Sequence, residues 1–194
     1  MKGVLTFDES THTYTLDGYR LPSVTQVLER TGIVDYSFIP PRIRDMALER
    51  GSAVHAAIAL DLENDLDEAS VEPIMGYVIA ARNARRDLGI VKPDLFEQRG
   101  HHPQYRYAGT VDLIAGDVLL DWKTNSAEWW VRLQTAAYAA MQPEPGRFKR
   151  IAVELHDDGS YRFDVFKCTD FRRDFQDFLC ALRVVQMIDE QKRK

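Results

Sequence analysis

Hydrophobic and polar residues follow two different periods in the two halves of this chain. In the first half, apolar positions such as Val54, Ile58 and Leu62 recur every three or four residues, which predicts one face of an α-helix. From Phe96 onward, apolar and polar residues alternate with a period of two, which predicts strands. The order along the chain is therefore helices, strands, one helix, strands and a final helix. This order predicts a mixed α/β (α+β) domain, in which helices pack on a central sheet.

Turn and capping residues set the bounds of the predicted elements. Asp17-Gly18 turns the chain after an N-terminal β-hairpin, Ser23 caps a short helix, and Pro40-Pro41 opens a longer one. The acidic stretch 63–70 is predicted to be a loop. The predicted strands cover roughly 6–8, 13–16, 19–21, 95–100, 104–114, 118–124, 149–156 and 160–167, and the helices roughly 23–30, 41–62, 72–88, 127–141 and 171–185.

Length and composition narrow the class of protein. A chain of 194 residues fits a single domain over 1–194, in which 1–90 holds the hairpin and first helices and 91–194 holds the main sheet and last helix. With 45% hydrophobic and 28% charged residues, the composition excludes wholesale disorder. No apolar run is long enough to cross a bilayer and no signal peptide is recognised, so we expect no membrane partner and a soluble, cytoplasmic protein. Cys168 and Cys180 alone cannot form a four-cysteine iron–sulfur cluster.

The charges are unevenly distributed. The 25 basic and 30 acidic residues give a net charge of −5, which argues against a protein that coats nucleic acid without specificity. The basic residues nevertheless form local clusters, of which one contains Arg82, Arg85 and Arg86. A solvated face explains such a cluster as well as a nucleic-acid contact does.

The hairpin at 107–124 carries the main chemical signal. A two-residue turn at Gly116-Asp117 sets a register in which Asp112 lies opposite Asp121, and Lys123 shares that face. Like charges in this position destabilise a sheet unless a divalent cation compensates them, and Mg²⁺ prefers carboxylate oxygens. The alternative is a surface hairpin in which Lys123 merely neutralises Asp121.

Four short motifs in this order resemble the PD-(D/E)XK nuclease superfamily, in particular its RecB-like, Cas4-like and phage exonuclease branch. The motifs are Arg50-Gly51-Ser52-Ala53-Val54-His55, Gly109-Thr110-Val111-Asp112, Asp121-Trp122-Lys123-Thr124 and Gln134-Thr135-Ala136-Ala137-Tyr138. The resemblance covers roughly residues 20–140. It implies a restriction-endonuclease-like core, with a central mixed sheet flanked by helices, an N-terminal β-hairpin and a helical arch.

The resemblance also implies residue roles. Asp112 and Asp121 would be catalytic ligands of Mg²⁺ or Mn²⁺, together with the carbonyl of Trp122, and His55 would join them. Lys123 would position or activate the attacking water. The implied activity is a Mg²⁺/Mn²⁺-dependent deoxyribonuclease, expected to be an exonuclease in phage or bacterial DNA recombination or repair.

Further residues are expected to bind the DNA substrate or to orient the motif residues. This group comprises Gln134, Tyr138, Thr124, Arg50, Arg82, Arg85 and Arg86. Glu97 lies where relatives often place a first-motif acid, although a solvated acid on an edge strand explains it equally well. One of Trp129 and Trp130 is expected to lie near the cleft, where it could stack on an unpaired base.

Two other function classes remain open from the sequence. One is a noncatalytic nucleic-acid-binding or regulatory module that keeps the nuclease fold, and the other is an unrelated structural α/β domain. Intact Asp112, Asp121 and Lys123 argue against the first. Because the chain has no phosphate-binding glycine loop, any helicase activity would come from a partner, such as a helicase or recombination protein.

Overall fold

The chain folds into two sheets and five α-helices in a computed structural model that describes residues 3–9 and 11–192, so both ends of the predicted 1–194 domain lie outside the described residues. The strands are β1 Leu5–Asp8, β2 Thr13–Leu16, β3 Tyr19–Leu21, β4 Leu95–His101, β5 Ala108–Ala115, β6 Val118–Lys123, β7 Lys149–Leu155 and β8 Tyr161–Phe166. The helices are α1 Val24–Arg30, α2 Pro41–Glu63, α3 Met75–Asp87, α4 Val131–Ala140 and α5 Phe171–Lys192.

The central sheet is mixed, as predicted. Its strand order is β4-β5-β6-β7-β8, and only the β6–β7 pair is parallel. A parallel connection needs a crossover, and α4 lies within it. The mixed α/β fold class is therefore confirmed.

Alternating residues of the central strands build a core on each face of this sheet. Ile114 and Leu119 belong to a cluster with residues of α1, α4 and α5. Leu113 and Leu120 belong to a second cluster with residues of α2 and α3. The sheet is thus covered by helices on both faces, which explains its nearly continuous apolar strands.

The N-terminal β1-β2-β3 sheet packs on the start of β5. Tyr14 of β2 is 2% exposed, and its hydroxyl lies 2.7 Å from Thr110 Oγ1 of β5. Ser23 caps α1, as the sequence predicts, and the structure adds a reciprocal hydrogen bond from Ser23 N to the Gln26 side chain that completes a capping box. The small sheet therefore contacts the strand that carries Asp112.

Several element bounds differ from the sequence prediction. The helix predicted from 127 begins at Val131, and the last helix continues to Lys192, beyond the predicted 185. The predicted strand from residue 104 begins only at Ala108, because residues 103–105 form a turn and Arg106 has a φ of 54°. The acidic loop and the start of the predicted helix at 72 are partly a 3₁₀ helix, Glu68–Ile74, in which Pro73 delays the α-helix until Met75.

A buried ion pair fastens α5 to the sheet. The Arg150 side chain of β7 is fully buried, and its Nη2 donates a hydrogen bond of 2.7 Å to Asp174 Oδ2 of α5. Arg132 of α4 donates to the other carboxylate oxygen, also at 2.7 Å. No helix in the described part of the chain is long and apolar enough to span a membrane.

Candidate metal centre

The β5–β6 hairpin has the predicted register near its turn but not at its far end. The pairs Ala115–Val118, Ile114–Leu119 and Leu113–Leu120 form as expected. The predicted pair of Asp112 with Asp121 is wrong, because the ladder stops at Leu113–Leu120 and Trp122 N instead donates a hydrogen bond of 2.7 Å to Asp112 Oδ2. Opposed carboxylates repel, and beyond Leu120 β6 keeps only its pairing with β7, which runs along its other side from Val118 to Lys123.

The structure instead places a different carboxylate opposite Asp112. In the β4–β5 ladder, Phe96 pairs with Leu113 and Gln98 with Val111, so Glu97 lies across from Asp112. This pair is missing from the ladder, and Glu97 has a φ of 45°, in the left-handed region that non-glycine residues seldom adopt. Strained backbone of this kind is often found at functional sites.

His55 of α2 brings these two carboxylates together. Its Nδ1 lies 3.2 Å from Glu97 Oε1 and 3.7 Å from Asp112 Oδ1, and its Nε2 lies 3.3 Å from the carbonyl oxygen of Trp122. One ligand atom from each of His55, Glu97 and Asp112 lies within 4.8 Å of the others. The sequence-predicted histidine and the first-motif acid therefore meet at one point.

The pKa values at this point show strong electrostatic interaction. Burial lowers the pKa of His55, but the charge of Asp112 and the hydrogen bond and charge of Glu97 outweigh it and raise that pKa to about 9. Burial raises the pKa of Asp112; the positive charge of His55 lowers it, whereas Asp121 and Glu97 raise it further. The centre thus concentrates negative charge, which a proton on His55 or a divalent cation can compensate.

Asp121 and Lys123 lie together on β6. The Asp121 side chain is 2% exposed, and its Oδ2 lies 2.6 Å from Lys123 Nζ. The angle of this ion pair is poor for a hydrogen bond, so Oδ2 has no hydrogen-bond partner among the described residues. A buried carboxylate oxygen in this state is suited to accept a further ligand.

Helix α4 fixes the position of Lys123. Lys123 Nζ donates a hydrogen bond of 2.9 Å to Gln134 Oε1, and Gln134 Nε2 donates one of 3.0 Å to the hydroxyl of Tyr138. Burial, followed by the charges of Asp121 and Asp112, raises the pKa of Tyr138 well above its usual value. The tyrosine therefore stays protonated. The hydrogen bonds to Lys123 and Tyr138 together set the orientation of the Gln134 amide.

Gly109 makes room for this arrangement. A Cβ atom at this position would lie 2.7 Å from a ring carbon of Tyr138. The glycine of the Gly109-Thr110-Val111-Asp112 motif is therefore explained by close packing of α4 on β5.

The residues present fit a divalent cation. The arrangement offers carboxylate oxygens from Glu97 and Asp112, a ring nitrogen of His55 and the nearby carbonyl of Trp122. Oxygen ligands suit Mg²⁺, and Mn²⁺ accepts an imidazole as well. The group of His55, Glu97 and Asp112 could hold a metal ion through these atoms; Asp121 is not part of this group, and its Oδ2 is paired with Lys123.

The predicted DNA-binding arginines differ in their surroundings. Arg82 and Arg85 both contact Asp61, at 2.6 and 2.5 Å, whereas Arg86 is exposed and reaches only Asp87, at 3.4 Å. Arg50 lies closer to Lys123, since its Nη2 donates a hydrogen bond of 2.7 Å to Asn125 Oδ1. The role of these arginines in binding remains a prediction.

Thr124 lies next to Arg50, and the two tryptophans differ in their exposure. The carbonyl of Thr124 lies 3.5 Å from Arg50 Nη2. Trp130 packs against the core, with Lys123 Nζ 5.7 Å from its ring centre, whereas Trp129 is 58% exposed.

Sequence reasoning missed Tyr36 and Asn125. Burial raises the pKa of Tyr36 while the charge of Lys123 opposes this, which places the tyrosine within electrostatic range of the lysine. Asn125 could have been suspected because it follows the Asp121-Trp122-Lys123-Thr124 motif directly. Tyr36 lies in a loop with no periodic pattern, so the sequence contains no signal for it.

Comparison with known proteins gives distant structural matches only. No family model and no curated protein sequence matches the chain. A crystal structure of an alkaline exonuclease, LHK-Exo from Laribacter hongkongensis, covers 88% of this chain and 92% of its own, with 14% identity and a TM-score of 0.34. A structure of LHK-Exo in complex with dAMP covers 89% and 93%, with 14% identity and a TM-score of 0.33. The chemistry available to this chain therefore has to follow from its own side chains.

Proposed function

We propose that this chain is a divalent-cation-dependent nuclease that hydrolyses phosphodiester bonds in DNA. The observation that supports this best is the meeting of His55, Glu97 and Asp112 beside an ordered lysine. Carboxylates with a histidine can hold Mg²⁺ or Mn²⁺, and a lysine can stabilise the charge that develops on a phosphate. When bound, such a cation supplies a Lewis acid for a phosphoryl oxygen and a more acidic water.

The geometry of Lys123 supports a direct role in the reaction. An ammonium group has three N–H donors, of which one points to Gln134 and a second direction is taken by Asp121. Among the described residues no acceptor takes the third donor, which can therefore contact a phosphate oxygen or the attacking water. Gln134 and Tyr138 hold this geometry from α4, so we assign them as positioning residues.

The proposal extends to DNA ends as substrate and to recombination or repair in a phage or bacterium as the setting. It is supported by the four motifs that resemble the RecB-like and phage exonuclease branch. Arg50 and the exposed Arg86 are the proposed phosphate contacts with the least acidic compensation, because Arg82 and Arg85 already share Asp61.

The test is cleavage of DNA of defined topology. Linear, nicked and closed circular DNA, labelled at the 5′ or the 3′ end, are incubated with the protein in Mg²⁺, Mn²⁺ or EDTA. We expect cation-dependent loss of linear DNA from an end, resistance of closed circles, and no cleavage by Asp112→Asn. Asp117→Asn is the matched control, since this aspartate is exposed in the turn of the same hairpin.

Two outcomes would contradict the proposal. Absence of hydrolysis of any DNA in both cations would favour a noncatalytic nucleic-acid-binding module with the same fold. Hydrolysis that survives Asp112→Asn undiminished would show that the activity does not depend on this centre.

A further inference from the structure

Exposed aromatic side chains are few in this protein, and their distribution is uneven. Among the described residues, the exposed large hydrophobic side chains include only three aromatic ones, Tyr19, Phe38 and Trp129. Two of these, Phe38 at 78% and Trp129 at 58% exposure, lie in loops whose inward aromatic residues, Tyr36 and Trp130, pack against the same core cluster. Tyr19 lies on β3 in the N-terminal sheet.

The first of these loops connects β6 to α4 and begins directly after Lys123. Trp130 faces inward, packs against the core and lies under Lys123 Nζ at 5.7 Å. Its neighbour Trp129 faces outward, with the guanidinium of Arg132 5.7 Å from its ring centre. The loop thus presents a flat aromatic surface beside the lysine, next to the guanidinium of Arg132, which also donates hydrogen bonds to Asp174 and Asp177 of α5.

The second loop connects α1 to α2 and has the same organisation. Tyr36 packs against the same core cluster as Trp130, the residue under Lys123, and the charge of Lys123 acts on its hydroxyl. A turn follows, in which Ile39 N donates a hydrogen bond of 3.0 Å to Tyr36 O, and Phe38 is exposed in this turn. Each loop therefore pairs an inward aromatic residue near Lys123 with an outward, uncovered one.

We propose that Trp129 and Phe38 bind an unpaired DNA strand by stacking on its bases, so that single-stranded DNA is the form in which substrate reaches the metal centre. This proposal rests on the proposed nuclease function, whose substrate class it specifies. In a duplex the faces of the bases are covered by their neighbours, whereas in a single strand each face is available to an aromatic ring. Lys123, which is paired with Asp121, and Arg132, which is paired with Asp174 and Asp177, are the nearby cationic groups that phosphates can contact.

Two features together, the exposed aromatic rings and the cations beside them, identify single-stranded DNA as the ligand of this surface. Apolar surface alone would be enough to bind a protein partner. Here the exposed rings lie beside cations and next to a candidate site for phosphodiester hydrolysis. Glu128 directly precedes Trp129 in the β6–α4 loop, and Arg132 is paired with Asp174 and Asp177. The positive charge is therefore limited, and stacking has to contribute much of the affinity.

The test is a binding titration that needs no catalysis. Fluorescein-labelled dT20 and a blunt 20-base-pair duplex are titrated with the full chain in EDTA, and binding is followed by anisotropy. We expect tighter binding of dT20 than of the duplex, and a loss of about 5- to 150-fold for dT20 with Trp129→Ala or Phe38→Ala, corresponding to ~1–3 kcal/mol per stacked base. Trp129→Phe should restore the affinity, and Tyr19→Ala is the matched control with an exposed aromatic residue elsewhere.

The possible outcomes separate this inference from the proposed function. Aromatic-dependent binding of dT20 without any cation-dependent cleavage would overturn the nuclease proposal and leave the single-strand surface standing. Cleavage together with equal or tighter binding of the duplex, or with dT20 binding unchanged in both alanine variants, would overturn the single-strand surface alone. Concentration-dependent self-association that both alanine variants abolish, without an effect on dT20 binding, would assign the surface to a second copy of the chain.

Discussion

The most direct test of the metal centre is a change in the thermal stability of Asp112→Asn with and without Mg²⁺. Asp112 contacts His55 and accepts a hydrogen bond from Trp122 N. Asparagine has nearly the same volume and keeps an oxygen that can accept the Trp122 hydrogen bond. The substitution therefore removes a charge and a good cation ligand while leaving the packing intact.

We expect the metal-free variant to be about as stable as the metal-free wild type. Burial and the nearby carboxylates raise the pKa of Asp112, so its ionised form destabilises the fold at neutral pH and its loss is favourable. The raised pKa of His55 acts in the opposite direction, because protonated His55 loses a partner in the variant. With the Trp122 hydrogen bond retained, the net difference in unfolding free energy should stay within about 1 kcal/mol.

Magnesium should stabilise the wild type alone. At a Mg²⁺ concentration ten times the dissociation constant, linkage contributes about 1.4 kcal/mol to the free energy of unfolding. For a chain of this size, that raises the Tm by roughly 3–6 °C. Asp112→Asn should lose most of this rise, whereas the control Asp117→Asn should keep it.

The assay is a thermal scan by differential fluorimetry or calorimetry for the three proteins in EDTA and in Mg²⁺. A strongly destabilised Asp112→Asn in EDTA would show that the carboxylate is chiefly a structural hydrogen-bond acceptor. An intact Mg²⁺ response in this variant would show that the cation binds elsewhere.

Three further predictions follow from the geometry. Lys123→Ala should lower the cleavage rate by about 10²- to 10³-fold while the anisotropy-measured affinity for DNA changes little, since phosphate binding is spread over several cations; equal losses of rate and affinity would contradict a role confined to the reaction. Gly109→Ala should lower the free energy of unfolding in urea by about 1–3 kcal/mol, because the new methyl group meets the ring of Tyr138 at 2.7 Å; an unchanged midpoint would show that the ring can move aside. Asp174→Asn should cost about 3–5 kcal/mol at pH 7, because Arg150 stays buried without its counter-charge. Burial raises the pKa of Asp174, but hydrogen bonds from Arg150 and other arginines outweigh it and hold that pKa below its usual value. The stabilising effect of Asp174 is therefore present above about pH 4 and is lost as the pH falls further. An acid titration of the stability of wild type and variant measures this loss.

The elements with strong local signals were predictable from the sequence. The Gly116-Asp117 turn fixes three residue pairs of the β5–β6 hairpin, and all three form. Ser23 is predicted to cap α1, and it does. Such features depend on residues a few positions apart, so they can be read without knowledge of the tertiary structure.

Contacts between distant segments were not predictable in the same way. The pairing of Arg82 and Arg85 with Asp61 joins α3 to α2, and no pattern within either helix indicates it. The delayed start of β5 at Ala108 follows from a turn that holds Arg106 at a positive φ, a conformation that the residue type does not suggest. In both cases the structure is decided by packing and not by local propensity.

The position of the metal centre follows from a place where regular strand pairing fails on both sides of Asp112. On one side the β5–β6 ladder stops before Asp121, and on the other the β4–β5 ladder skips Glu97. Extending either ladder would set a second carboxylate directly opposite Asp112, which costs stability in a sheet. Neither pair forms: Asp112 and Glu97 contact the ring of His55 from α2, and the backbone N–H of Trp122 donates to Asp112. The acidic residues that could hold a cation are therefore the same ones at which regular strand pairing is interrupted.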